Sequence, residues 1–175
     1  RSKIWLEPAA KANPAAVAAI MEADLVVIAP GNLYGSLAPA LVIDGIQQAL
    51  RQTRARCVYV CNLVTKPGPT DGFSVVDFAG EIERLAGSEF LDYVVFNTDK
   101  PSAELMEKYA HDGELTVGYD IDELKQRHYE FRGAPILAKS VWRGAQASDP
   151  IAAARSFIRH DSDAVARQLM RIYFS

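Results

Sequence analysis

The chain has little of what marks the common catalytic and metal-binding classes. Its 175 residues hold two cysteines and three histidines. His111, His128 and His160 are scattered, with no pair at zinc-ligand spacing, so a structural zinc site is not expected. Each reads as a surface or capping residue rather than a catalytic base. Neither a Gly-x-Ser-x-Gly elbow nor a phosphate-binding P-loop occurs within these residues. Charge of one sign is also lacking, with 19 basic against 22 acidic side chains and a net charge of −3. That balance supplies no basic field for nucleic acid or an anionic membrane. No run has the apolar length of a membrane span, and none reads as a secretory leader.

About half of the chain, 49%, is hydrophobic. This suits one globular domain with a substantial core rather than a disordered chain. Both cysteines lie in Cys57-Val58-Tyr59-Val60-Cys61, a strand-like run. A period of two puts them on one face, roughly 13 Å apart at about 3.3 Å per residue. That is too far for a disulfide. Buried free thiols are expected, in keeping with a reducing cytoplasm.

Apolar runs alternate with helical periodicity along the chain. Lys3–Leu6 reads as a strand that Glu7-Pro8 breaks. Asn13 then caps a helix with Pro14 at its first position and Val17, Ile20 and Met21 on one face. Leu25–Ala29 lacks polar alternation, as expected for a strand covered on both faces, and ends at Pro30-Gly31-Asn32. Pro39 opens a helical stretch that Ile46, Ala49 and Leu50 continue after Asp44-Gly45. Cys57–Val64 is the next strand. Ser74 caps a helix with Val75, Phe78, Ala79, Ile82 and Leu85 inward. Leu91–Phe96 is a strand, and Ser102 caps a helix with Leu105, Met106 and Tyr109 inward. These alternations predict an α/β fold, a doubly wound and mainly parallel Rossmann-like sheet with helices on both faces. Beyond Gly113 the pattern weakens. Leu115–Val117 and Ile136–Ala138 are short strand candidates, and Asp161 or Asp163 caps a last helix bearing Val165, Leu169 and Ile172.

In a parallel sheet the loops after the strands share one edge, where ligands bind. Asn32, Tyr34 and Ser36 follow one strand. Asn62, Thr65, Thr70 and Asp71 follow the next, and Asn97, Thr98 and Lys100 the third. Amides, hydroxyls, a carboxylate and one or two ammonium groups suit phosphate, ribose and sugar hydroxyls. Nucleophilic catalysis needs an activating base, and no convincing one lies nearby. Asn, Asp, Thr and Gly also stabilise turns unaided, which remains the alternative for each loop. Glu81, Glu83 and Arg84 read as the solvated side of a helix, and Trp5 and Trp142 as core or edge packing.

The order of residues then becomes specific. Ala23-Asp24 through Ser36, followed by Pro39 and Gly45-Ile46, resembles the later half of the CofD-like superfamily. Cys61-Asn62-Leu63-Val64-Thr65-Lys66-Pro67-Gly68-Pro69-Thr70-Asp71-Gly72 adds to the likeness. So do Asp92–Val95 with Asn97-Thr98, and Arg159-His160-Asp161. The superfamily includes the YvcK-type gluconeogenesis factors (UPF0052) and the 2-phospho-L-lactate transferases of deazaflavin synthesis. The Pro-Gly-x-Leu-Tyr loop is similar to the YvcK branch. That resemblance implies that Gly31, Asn32, Leu33, Tyr34, Ser36, Asn62, Thr65, Thr70, Asp71 and Asn97 bind a nucleotide sugar of the UDP-sugar type. It implies a cytoplasmic regulator of carbon metabolism or cell-wall synthesis, with no catalytic residue assigned.

The transferase branch implies instead an enzyme moving a phospholactyl group to a deazaflavin, with a divalent metal such as magnesium near Asp71. A third expectation is an inert scaffold half. The family carries an N-terminal Gly-rich turn that these residues lack. The chain therefore reads as one α/β domain, residues 1–175, from the C-terminal half of a larger protein, and homo-oligomers are compatible with it. Ala29, Asn32 and Gly35 depart from the family's usual Gly, Ser and Thr. Asp77-Phe78-Ala79 stands where Asp-His-Val is common, and the absent His argues against catalysis.

Overall fold

Three consecutive apolar runs rich in β-branched residues form the first three strands of the sheet for the reason their composition suggests. Such side chains pack well on a pleated, covered surface. The computed structural model describes residues 3–138 and 158–175. Strands β1 (Leu25–Ile28), β2 (Arg56–Val60), β3 (Tyr93–Asn97) and β4 (Glu130–Ala134) form one sheet in that order. All three pairings are parallel, with Val27 opposite Val58, Tyr59 opposite Val94, and Val95 opposite Arg132.

Successive residues of β2 and β3 point to opposite faces and build two cores. On one face Tyr59, Cys61, Val94 and Phe96 pack with helices α2 (Ala38–Leu41), α3 (Asp44–Gln52) and α4 (Val75–Ala86). On the other, Val58, Val60 and Val95 meet Ala164 and Ile172 of the last helix, Ser162–Tyr173. Helices therefore cover both faces of a parallel, Rossmann-like sheet. The Arg56 guanidinium donates to the carbonyls of Ile172 and Tyr173, fastening the end of that helix to β2.

Helix α4 shows how local signals and packing agree. Ser74 and Asp77 form a reciprocal capping box, and Gly87 ends the helix at φ 73°, a left-handed position that suits glycine. Phe78, Ala79, Ile82 and Leu85 are buried as their spacing predicts. Complete burial of a side chain such as Phe78 or Ile82 contributes about 1.5–3 kcal/mol. Asn13 caps α1 (Pro14–Glu22), Ser102 caps α5 (Ala103–His111), and Asp161 caps the last helix, with Val165 and Leu169 toward the core. Both cysteines are buried free thiols, and burial raises each to about 12.

Several expectations are corrected. Lys3–Leu6 forms no strand, and Trp5 is 67% exposed. Among the described residues β1 has β2 as its one neighbour. An edge strand lacks the cover its apolar run suggests, and Val27 is 37% exposed. Leu115–Val117 makes isolated bridges, Thr116 antiparallel to Val64, and Leu137 bridges His160; none joins the sheet. Missing from the sequence reading were β4 and α6 (Ile121–Leu124). Glu130-Phe131-Arg132-Gly133-Ala134 is polar and carries a glycine because it is a half-solvated edge strand. A Cβ on Gly133 would stand 2.9 Å from both Phe96 and Thr98. Trp142 lies outside the described residues.

Candidate functional site: a cleft at the carboxyl ends of β1 and β2

The chain leaving β1 does not enter an ordinary α-helix. Asn32 heads a single π-helical turn, Leu33–Leu37, in which the Leu37 amide donates to the Asn32 carbonyl at 3.1 Å. Such turns are rare and recur at functional sites. The Asn32 carboxamide oxygen caps the turn by accepting from the Gly35 amide at 2.8 Å. A Cβ on residue 35 would stand 3.2 Å from that same side chain. Asn32 and Gly35 are therefore sterically coupled.

After β2, Asn62 joins the two loops. Its Nδ2 donates to the Gly31 carbonyl at 2.8 Å, and its Oδ1 accepts from the Tyr59 hydroxyl at 3.0 Å. Thr70 closes the next turn, its Oγ accepting from the Lys66 amide at 2.7 Å. Between the loops lies a cleft of about 330 Å³. That is within the usual range for small-molecule sites. Gly31, Asn32, Leu33, Tyr34, Asn62 and Thr70 line it, with Phe78 beneath and Lys66, Arg159 and His160 at its sides.

The remaining sequence candidates stand apart from this lining. Ser36 is exposed on the π-helical turn, and Asp71 is exposed on its loop. Thr65 is buried, its hydroxyl exchanging hydrogen bonds with the backbone of Leu115. Asn97 serves its own neighbourhood: Oδ1 accepts from the amides of Asp99 and Ile136, and Nδ2 donates to the Asp99 carbonyl. The strand that it ends thus contributes a scaffold rather than a wall.

Two titratable side chains beside the cleft differ in character. Lys66 reaches across to Glu114 in an exposed ion pair. His160, read from sequence as a surface or capping residue, is partly buried, its Nε2 donating to the Cys61 carbonyl at 3.0 Å. Burial lowers its pKa below 6.5, partly opposed by that hydrogen bond, so at neutral pH the ring is uncharged. Arg159 and His160 precede the Asp161 cap, and the short Arg-His-Asp run was the available signal that they approach the site.

The helix behind the cleft departs further from expectation. Glu81 is fully buried and Glu83 nearly so, whereas both read as solvated. Glu81 accepts from the Tyr34 hydroxyl at 2.8 Å and from the Arg84 guanidinium at 2.8 and 2.7 Å. Glu83 accepts from the amides of Phe90 and Leu91 and meets His128 Nε2 at 2.9 Å. Helical spacing identifies a polar stripe, but not that neighbouring loops will cover it.

Among the described residues no three His, Cys, Asp or Glu side chains come together as a metal site. Asp71, the carboxylate considered for a divalent ion, stands on an exposed loop outside the cleft lining. Among the described residues the donor set does not fit a protein-held metal. No helix among the described residues is long and apolar enough to cross a membrane.

Comparison with known proteins agrees with this architecture. The family model described as 2-phospho-L-lactate transferase CofD matches residues 1–137. A relative in Thermotoga maritima is 34% identical over 170 residues, covering 97% of this chain and 50% of the relative. The gluconeogenesis factor of Bacillus subtilis is 30% identical over 157 residues, covering 90% and 45%. A crystal structure of a UPF0052 family member from Bacillus halodurans superposes with a TM-score of 0.78 at 28% identity, covering 91% of this chain and 47% of that one. The chain spans about half the length of the curated relatives it matches. With the matched model covering most of its residues and the same parallel sheet beneath them, this chain belongs to the CofD family.

Proposed function

We propose that this chain contributes to binding a nucleotide sugar of the UDP-sugar type, within a protein that regulates carbon metabolism or cell-wall synthesis. The observation that carries the reading is the cleft itself. It sits beyond the carboxyl ends of two adjacent parallel strands and is lined by the Gly31–Tyr34 turn. Arg159 and Lys66 are among its lining residues, so a diphosphate would meet positive charge there. The Asn62 carboxamide suits ribose or sugar hydroxyls, while Thr70, buried and hydrogen-bonded to the Lys66 backbone, shapes the wall. The likeness to the Bacillus subtilis gluconeogenesis factor supports a regulatory setting.

His160 is uncharged and hydrogen-bonded to the backbone, which suits a wall residue better than an acid–base catalyst. The family model's own description favours a second reading, a transferase acting on a phospholactyl donor. Titration of the full-length protein with UDP and with UDP-glucose in a thermal-shift assay tests the first reading. A rise in melting temperature with either is the expected result. No response to uridine nucleotides, with a magnesium-dependent rise for guanosine nucleotides, would favour the transferase instead. Normal UDP-glucose binding by Thr70→Ala would remove the second loop from the site.

A further inference from the structure

The hydroxyl of Tyr34 turns away from the cleft that its residue lines and into the protein. There it meets Glu81, a carboxylate with no solvent exposure, at 2.8 Å. Glu81 is held in turn by Arg84, whose Nε and Nη2 donate in a fork at 2.8 and 2.7 Å. Arg84 is one helical turn along α4 and 37% exposed. The cleft is thus joined through a buried acceptor to an arginine on the protein's outer surface.

We propose that Glu81 is a positioning residue for the ligand, acting through Tyr34. A buried carboxylate is costly unless paired, and the Arg84 fork supplies that pairing while leaving Glu81 placed to accept from the phenol. The phenol therefore always donates inward. A charge-assisted hydrogen bond to a fixed acceptor is stronger and more directional than a bond to water. It holds the Tyr34 side chain in one orientation before the ligand arrives. The ligand accordingly meets the aromatic ring of Tyr34 and not its hydroxyl. A ring face suits the flat surface of a nucleobase or the apolar face of a sugar, whereas a free phenol would seek a phosphate. The π-helical turn contributes as well, since it sets where along the cleft the Tyr34 side chain leaves the backbone.

This inference rests on the nucleotide-sugar reading, and one experiment separates the two. UDP-glucose is titrated calorimetrically into full-length wild type, Tyr34→Phe, Glu81→Leu, Glu81→Gln and the Tyr34→Phe/Glu81→Leu double variant. Loss of preorganisation is expected to weaken binding by about three- to tenfold in Tyr34→Phe and in Glu81→Leu. The double variant is expected to bind no more weakly than either single one, because Glu81 reaches the ligand only through the phenol. Glu81→Gln keeps a carbonyl acceptor and is expected to bind more tightly than Glu81→Leu. Melting temperature behaves differently: Glu81→Leu lowers it in the wild-type and the Tyr34→Phe background alike, since the Arg84 fork is lost in either case.

Wild-type binding with an unchanged affinity in Glu81→Leu, or additive losses in the double variant, would overturn the positioning role alone. No binding of UDP-glucose to wild type overturns the nucleotide-sugar reading and this inference with it. Should Glu81→Leu fail to fold, Tyr34→Phe, which deletes a single oxygen, decides the matter: wild-type affinity there refutes the role.

Discussion

Asn62, two residues beyond the second strand, and Asn97, the last residue of the third, sit at the same edge of one parallel sheet and do opposite work. Asn62 spans a gap, one end on the Gly31 carbonyl and the other on the Tyr59 hydroxyl, so it ties two loops around open space. Asn97 spends both ends of its carboxamide on Asp99 and Ile136 and closes the space around itself. The difference comes from what lies next door. After β2 the chain swings out to Thr70 and leaves a cleft; after β3 the backbone beyond β4 returns at once and fills it. A polar residue after a strand becomes a site only where its partners leave room for something else.

The largest effect expected at this boundary comes from Phe78, which is buried in the core yet underlies the cleft. Phe78→Ala should cost about 3–5 kcal/mol in chemical denaturation, as for other large-to-small core changes. Asn97→Ala leaves the Ile136 amide without its acceptor and should cost about 1–3 kcal/mol while leaving UDP-glucose affinity unchanged. Asn62→Ala is the counterpart: about a tenfold weaker Kd, equivalent to about 1.4 kcal/mol, is expected in calorimetry. Equal losses of affinity in the two asparagine variants would erase the distinction drawn between their loops.

A smaller effect follows from His160, whose folded pKa lies below the 6.5 of the free group. The unfolded chain then binds a proton more readily, so this contribution to stability is intact above 6.5 and is lost as pH falls from 6.5 through the folded value. Denaturation midpoints should drop across that window in wild type, and less so in His160→Gln. The smallest change concerns Lys66 and Glu114. An exposed pair contributes no more than about 1 kcal/mol, so Glu114→Gln should scarcely alter the melting temperature. Because it frees Lys66, it should tighten UDP-glucose binding at low salt, and the gain should vanish at high salt.

Local chemistry made much of the fold legible. The Asn13, Ser74 and Ser102 caps, the Asp161 cap as one of two candidates, and the inward stripe of α4 appear where composition and spacing put them, and so do the apolar core strands, although β2 ends at Val60 rather than Val64. Their signals act within a few residues, so no knowledge of distant chain is needed to read them. The signals for β4 and α6 were missed because an edge strand and a single-turn helix need little apolar surface. Lys3–Leu6 misled for the converse reason: apolar residues favour a strand only if another strand is there to pair with.

The candidate site was legible in kind and only partly in membership. Glycine, asparagine and tyrosine after an apolar run mark a strand-to-helix turn from sequence alone, since each residue's backbone preference is intrinsic. Which loops converge was decided by the tertiary structure. It brought Arg159 and His160 from the far end of the chain, withdrew Asn97 and Thr65 into backbone hydrogen bonds, and buried Glu81 beneath Tyr34. Hydrogen-bond partners and solvent exposure depend on residues distant in sequence, and folding is what makes them neighbours.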